Sequence, residues 1–435
     1  MKKLIFLLTA FFSVLLFMGC TSTEPSGYIV DNHNYPEADY YNDEDYYDPI
    51  DADDDILDDD ADEEPYPDGA VVEKEIKIQF VGDILLHPRY TGSVEIARTG
   101  ANEFDFKPFL RDIKPFIDGD LAIANMETPV DVMGGNQDLS TFPWFNVPFE
   151  ILDALVYTGF HHLIFGNNHI VDRGFDGMVA SINNFNSVGL GQTGAYISLE
   201  DRDVPTIIDV DGIQVGIVAY ADSLNGNDWK LTPEQHLFAV RRFRSHVLDD
   251  VAGMVKSANW LREQGAEVVV MSLHWGEEYV DYPSETQRLI ARKLVEGGVD
   301  IIMGNHAHVV QPVEWHYRED GSRGFIMYSL GNFLADQTRL SPPIERTQFG
   351  KVVNVHISRD SQGQVSINEA TVLPTLAMRD WQGDTLRFID DISVLPVING
   401  EVPEFVTNPG IRDWGRRAYD HLTRILGEDF IYRPN

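Results

Sequence analysis

Two histidines one residue apart, His306 and His308, stand near the end of the stretch 299–311, Val-Asp-Ile-Ile-Met-Gly-Asn-His-Ala-His-Val-Val-Gln. An apolar run that ends in glycine and then presents two imidazoles reads as a buried strand delivering both rings at its carboxyl end. Side chains two apart in a strand or extended loop project the same way, so both rings can reach a common centre. Taken alone, such a pair is more often one core histidine and one turn residue than a metal site. Similar stretches elsewhere change that balance. Asp83, Glu127, Asn168 with His169, and His274 each fall just after a predicted strand. In layered α/β folds the carboxyl ends of strands form one rim, where residues far apart in sequence converge. Two carboxylates, an amide carbonyl and several imidazoles, with no thiolate, make a ligand field suited to Mn, Zn or Fe. A carboxylate can bridge two ions about 3.5–4 Å apart, the spacing of two-metal hydrolytic centres. One or two divalent metal ions are the expected cofactors, and hydrolysis the expected chemistry.

The elements that must position these residues follow from periodicity. Strands are predicted over 75–81, 120–125, 161–165 and 267–273, and helices over 149–158, 174–188, 245–264 and 285–296. Segments 206–210 and 213–219 flank Asp211-Gly212, a strong short hairpin signal. Further strands are predicted over 309–317, 324–330, 351–358 and 364–372, and a closing helix over about 412–426. Strands alternating with helices argue for α/β layers, and the hairpins add antiparallel pairs.

The amino-terminal part reads differently. In this 435-residue chain, Lys2 and Lys3 precede an apolar run over 4–18, the pattern of a signal sequence. The run ends Leu15-Leu16-Phe17-Met18-Gly19-Cys20, which resembles a bacterial lipobox; residues 1–20 are then a lipoprotein signal peptide and Cys20 the lipidated residue. Two acyl chains would anchor the protein stably to the cell membrane on the extracytoplasmic side. Residues 21–75 carry roughly half of the net charge of −37 and little aliphatic surface, the composition of a disordered acidic linker. Cys20 is the single cysteine, so no intrachain disulfide can form. The acidity argues against nucleic acid as a partner. One compact domain over 76–375 is expected, with a C-terminal extension, 376–435, packed on it.

Six motifs in order carry a resemblance: Gly82-Asp83, Asn125-Met126-Glu127-Thr128, Gly166-Asn167-Asn168-His169 with Asp172-Arg173-Gly174, His274-Trp275-Gly276-Glu277-Glu278-Tyr279, Gly304-Asn305-His306-Ala307-His308 and Ser329-Leu330-Gly331-Asn332-Phe333. The sequence resembles the CapA family of poly-γ-glutamate capsule synthesis proteins, related to calcineurin-like metallophosphoesterases. The resemblance implies a four-layer α/β/β/α metallophosphatase-like sandwich and a membrane-attached surface protein in capsule synthesis or export. It implies Asp83 and His308 as ligands of a first metal, Glu127 as a bridging carboxylate, and Asn168, His274 and His306 as ligands of a second. His169 resembles the imidazole that protonates a leaving group, and Asp172 is placed to orient it. The Asp-x-His opening of related phosphoesterases is absent, the nearest imidazole being His87, and Asn305 stands where the family usually has His. His87 and Arg173 are candidate substrate contacts, with a turn role and a structural ion pair as their respective alternatives.

Two functions are consistent with these residues. One is an assembly or export component whose metal rim binds an anionic capsule polymer through bridging cations, with other capsule-synthesis subunits as candidate partners. The other is a metal-dependent hydrolase cleaving a phosphoester, γ-glutamyl or other amide bond of an envelope substrate. A solute-binding lipoprotein would need two lobes and a hinge, and the sequence shows neither.

Overall fold

The computed structural model describes residues 71–88, 93–131, 138–337, 344–378 and 393–433, all within one compact unit, Glu64–Asn435. The expected signal peptide, Cys20 and nearly all of the acidic linker lie outside the described residues. The first strands are β1 (Val72–Leu85), β2 (Leu121–Met126), β3 (His162–Ile164), β4 (Gly191–Thr193), β5 (Thr206–Val210), β6 (Ile213–Ala221) and β7 (Val268–His274). They are followed by β8 (Ile301–Asn305), β9 (Val313–Tyr317), β10 (Arg323–Met327), β11 (Asn332–Ala335), β12 (Phe349–Asp360), β13 (Val365–Met378) and β14 (Ser393–Pro396). One sheet has the order β14-β13-β12-β1-β2-β3-β4, with β11 also paired to β1, and the other the order β5-β6-β7-β8-β10-β9.

The layering follows from alternation along the strands. In β7, Val268 and Val270 face the other sheet while Val269 and Met271 face the helices, so both sides of the strand are apolar. The inter-sheet core packs Ile78, Phe80 and Ile123 against Val215, Val270 and Met303. The outer face of the first sheet, with Val81, Ala124 and Leu163, is covered by Leu152 and Leu155 of helix Glu150–Thr158 and by Met178 and Phe185 of helix Gly174–Ser187. On the outer face of the second sheet, Met271 and Ile302 meet Met254 and Leu261 of helix Val251–Glu263 and Ile290 and Leu294 of helix Glu285–Glu296. Helix, sheet, sheet, helix is the α/β/β/α sandwich expected from the sequence.

Local chemistry sets the element ends. Helix Glu285–Glu296 starts at a capping box in which Ser284 and Gln287 each satisfy the other's backbone N–H. Asp211 and Gly212 both adopt positive φ, 47° and 90°, as the two-residue hairpin between β5 and β6 requires. The helix expected from 245 starts only at Val251, after a short 3-10 turn at Leu248–Asp250. At the carboxyl end β14 pairs with β13, and helix Pro409–Leu426 lays Ala418, Leu422 and Ile425 on the inter-sheet core. Among the described residues, no helix is long and apolar enough to cross a membrane.

Candidate metal centre

An irregularity in β1 and the carboxyl ends of β2, β3, β7 and β8 deliver the polar residues to one place. Asp83 lies inside β1, at a point where the register with both β2 and β11 shifts, so a local irregularity and not the strand's end aims its carboxylate. Glu127 follows β2, Asn168 and His169 follow β3, and His274 is the last residue of β7. The backbone is crowded here: a Cβ on Gly82 would stand 1.8 Å from the Gly331 carbonyl oxygen, so only glycine lets β1 and the chain entering β11 approach this closely. His306 and His308 correct the expectation of an extended segment. The chain leaves β8 at Asn305 and turns through positive φ, 100° at His306 and 57° at His308, while the Ala307 carbonyl accepts the Tyr279 N–H at 2.7 Å. A left-handed loop, not strand alternation, therefore brings the two rings inward.

Two groups of ligand-capable atoms result, Glu127 with His274 and His306, and Asp83 with Glu127 and His308, each within 4.8 Å. Glu127 belongs to both. His274 Nε2 lies 3.0 Å from Asn168 Oδ1 and 3.4 Å from Glu127 Oε1, and His306 Nδ1 lies 3.5 Å from the Asn168 amide. His308 Nδ1 is 3.1 Å from Asp83 Oδ2 and 3.1 Å from Asn332 Oδ1, while its Nε2 turns toward Glu127 Oε1 at 3.8 Å. Asp83 Oδ1 accepts a hydrogen bond from Asn125 at 2.7 Å. Both Glu127 oxygens are buried, and among the described residues neither has a hydrogen-bond partner. An ionised carboxylate left so is costly, and a cation shared between the two groups would remove that cost. The donor set and the orphaned carboxylate thus fit divalent ions.

Burial and charge act in different directions on these groups. Burial, with the nearby charge of Asp83, pushes Glu127 up to about 8. Burial brings His274 and His306 down to about 3, which keeps both imidazoles neutral with a lone pair available for an ion. Burial alone would lower His308 as well, but the Glu127 and Asp83 carboxylates outweigh it and raise that ring to about 10.

Beside this cluster, His169 Nδ1 donates to Asp172 Oδ2 at 2.8 Å, and Asp172 Oδ2 also accepts the Phe145 N–H at 2.8 Å. His169 Nε2 is 3.3 Å from the Asn225 amide, whose Oδ1 accepts from Asn168 Nδ2 at 3.2 Å. His87 packs against Phe145, whose ring meets His87 edge-on at 4.8 Å and His169 at 4.7 Å. His87 belongs to neither ligand group. Arg173 is engaged by Asp131 at 3.0 Å and by Asp138, so an anionic substrate would have to displace two carboxylates. Asn305 is buried, has no hydrogen-bond partner on either side-chain atom among the described residues, and lies outside the two groups.

Sequence reasoning missed Asn225 and Asn332. Asn225 sits at φ 51° in an Asn-Gly turn just past β6, a signal that marks the turn but not its contacts. Asn332 reads as part of a supporting turn, whereas its carbonyl oxygen meets His308.

The two-sheet sandwich with this rim defines the chain as an α/β/β/α protein whose strand ends gather ligand-capable side chains. Residues 77–337 match the family described as bacterial capsule synthesis protein PGA_cap, and the chain belongs to that family, the one its motifs resemble. It is 28% identical over 310 residues to the PGA biosynthesis protein CapA of Bacillus subtilis (strain 168), covering 69% of this chain and 73% of that protein. It is 27% identical over 267 residues to the capsule biosynthesis protein CapA of Bacillus anthracis, covering 61% of each, less than two thirds of that relative's length. Among solved structures it aligns with the NAD nucleotidase NadN of Haemophilus influenzae over 84% of this chain and 57% of that one. The TM-score of 0.38 and 12% identity are too distant to bear on function.

Proposed function

We propose that this capsule-synthesis family protein is tethered through Cys20 outside the cell membrane and works there as a metal-dependent hydrolase on the capsule polymer or another envelope substrate. The observation that carries the reading is Glu127, a buried carboxylate with no hydrogen-bond partner among the described residues, common to two groups of ligand atoms. Asn168, His274 and His306 with Glu127 would hold one ion, and Asp83 and His308 with Glu127 another. Ions held there would act as Lewis acids toward the bond being cleaved.

The remaining work falls to His169 and Asp172. With Nδ1–H donated to Asp172, Nε2 is the atom that carries a proton to a leaving group, and the carboxylate stabilises the imidazolium before that transfer. The net charge of −37 favours a second reading, in which bridging cations join an acidic protein to an acidic polymer without turnover. Turnover of a chromogenic phosphodiester by the metal-loaded full chain separates the two. The hydrolase reading expects turnover that falls about a hundredfold or more in His169→Ala at unchanged metal content. A wild-type chain that holds its ions and hydrolyses neither this probe nor a γ-glutamyl amide contradicts that reading.

A further inference from the structure

Arg202 and Arg241 stand side by side, and among the described residues neither has a carboxylate oxygen within 4.0 Å. In a chain with 70 acidic and 33 basic residues, arginines usually find a carboxylate. Those around this pair do: Arg242 meets Asp228 at 2.9 Å, and Arg244 meets Asp250 at 2.7 Å. Arg202 instead donates to the Leu237 carbonyl, and Arg241 to the Arg202 carbonyl at 2.8 Å and the Tyr196 hydroxyl at 3.4 Å. Burial first, and then the positive charge of Arg241, hold the Arg202 guanidinium below its ordinary pKa. Two like charges close enough to act on each other are unfavourable unless an anion joins them.

The space for one is present. Arg202, Arg241 and Arg242 line a cavity of about 360 Å³ on the outer side of the second sheet, beside helix Val251–Glu263. Its wall includes Tyr220 and Ser257, whose hydroxyl oxygens are 2.7 Å apart. Asp249 and Asp250 also line it; both Asp250 oxygens are taken by Arg244, at 2.7 and 3.0 Å, which neutralises that carboxylate. None of the metal-centre residues lines this cavity.

We propose that the cavity is an oxyanion-binding site, receiving a carboxylate or phosphate group between Arg202 and Arg241, separate from the metal centre. Planar guanidinium groups hold such groups through paired N–H donors. The site goes beyond the hydrolase reading and does not depend on it.

The test is calorimetric titration of the full chain, in a chelator so that ions at the metal centre do not bind the probe. Inorganic phosphate and a short γ-linked glutamate oligomer are titrated separately. Saturable binding is expected for at least one of them, phosphate alone marking a phosphate-bearing ligand and the oligomer alone a carboxylate-bearing chain. Arg241→Gln should weaken the binding about tenfold or more. Ser257→Asp places a negative charge in the cavity while leaving every guanidinium in place, and should weaken it as much; it decides the matter if Arg241→Gln does not fold. Absence of saturable binding of both probes, or unchanged affinity in a folded variant, overturns the proposal.

Discussion

Asp83 and Asn332 are register partners across the parallel ladder of β1 and β11, and both reach one atom, Nδ1 of His308, at 3.1 Å. Two oxygen acceptors at Nδ1 hold a proton there and turn Nε2 toward Glu127. The pairing of two strands therefore sets the orientation of a ligand candidate. Asn332→Ala should weaken metal binding about tenfold or more, read by metal titration. It should also cost about 1–3 kcal/mol of stability, because the buried Thr347 carbonyl loses its donor. Unaltered metal affinity would remove Asn332 from the site.

Gly82 offers a steric prediction. In Gly82→Ala the new methyl group would meet the Gly331 carbonyl, and neither backbone can give way without moving Asp83. Destabilisation of about 1–3 kcal/mol is expected in urea unfolding. Gly253→Ala is the control: it lies in a helix with nothing within 4 Å of the added carbon, and should stabilise by up to about 1 kcal/mol. Equal effects of the two substitutions would contradict the account of this rim.

Lys351 gives the pH dependence. It is fully buried on β12, with Nζ donating to the Gln311 carbonyl at 3.1 Å, and burial pushes it down to about 7. Between that value and the ordinary lysine pKa of about 10.4 the unfolded chain binds more protons, so this residue's contribution to stability rises with pH across that window. Below about 7 the penalty for burying the ammonium is present in full. Lys351→Met should therefore be more stable than the wild type at pH 6, with the gap narrowing toward pH 10, as read from thermal midpoints. A gap that does not change with pH would sink the assignment.

Asp172 tests the orientation of His169. Asp172→Asn keeps an acceptor for Nδ1–H but removes the negative charge beside the ring. Against an active wild type, kcat should fall about tenfold or more with little change in KM or metal content. A raised KM with unchanged kcat would place Asp172 in substrate binding instead.

The layers were legible because they rest on periodicity. Alternating strands, the Asp211-Gly212 hairpin and the stretch that became the capped helix Glu285–Glu296 all announce themselves within a few residues. The rim was legible for a different reason: Glu127 and His274 are polar residues placed where apolar strands end. Contacts made only by tertiary approach left no such mark. Asn332 reaches His308 from a distant strand, Asn225 reaches Asn168 across 57 positions, and Asp138 reaches Arg173 across 35. Backbone curvature was equally hidden: His-x-His suggested extended alternation, whereas positive φ at His306 and His308 carries the geometry. The site's chemistry was thus visible before its means of assembly.

The central claim is that Glu127 is common to two ion sites, and elemental analysis of the purified full chain after dialysis tests it most directly. The account predicts one or two divalent ions per wild-type chain and close to none in Glu127→Ala. A wild-type chain without ions, or a Glu127→Ala chain that folds and keeps them all, would contradict it.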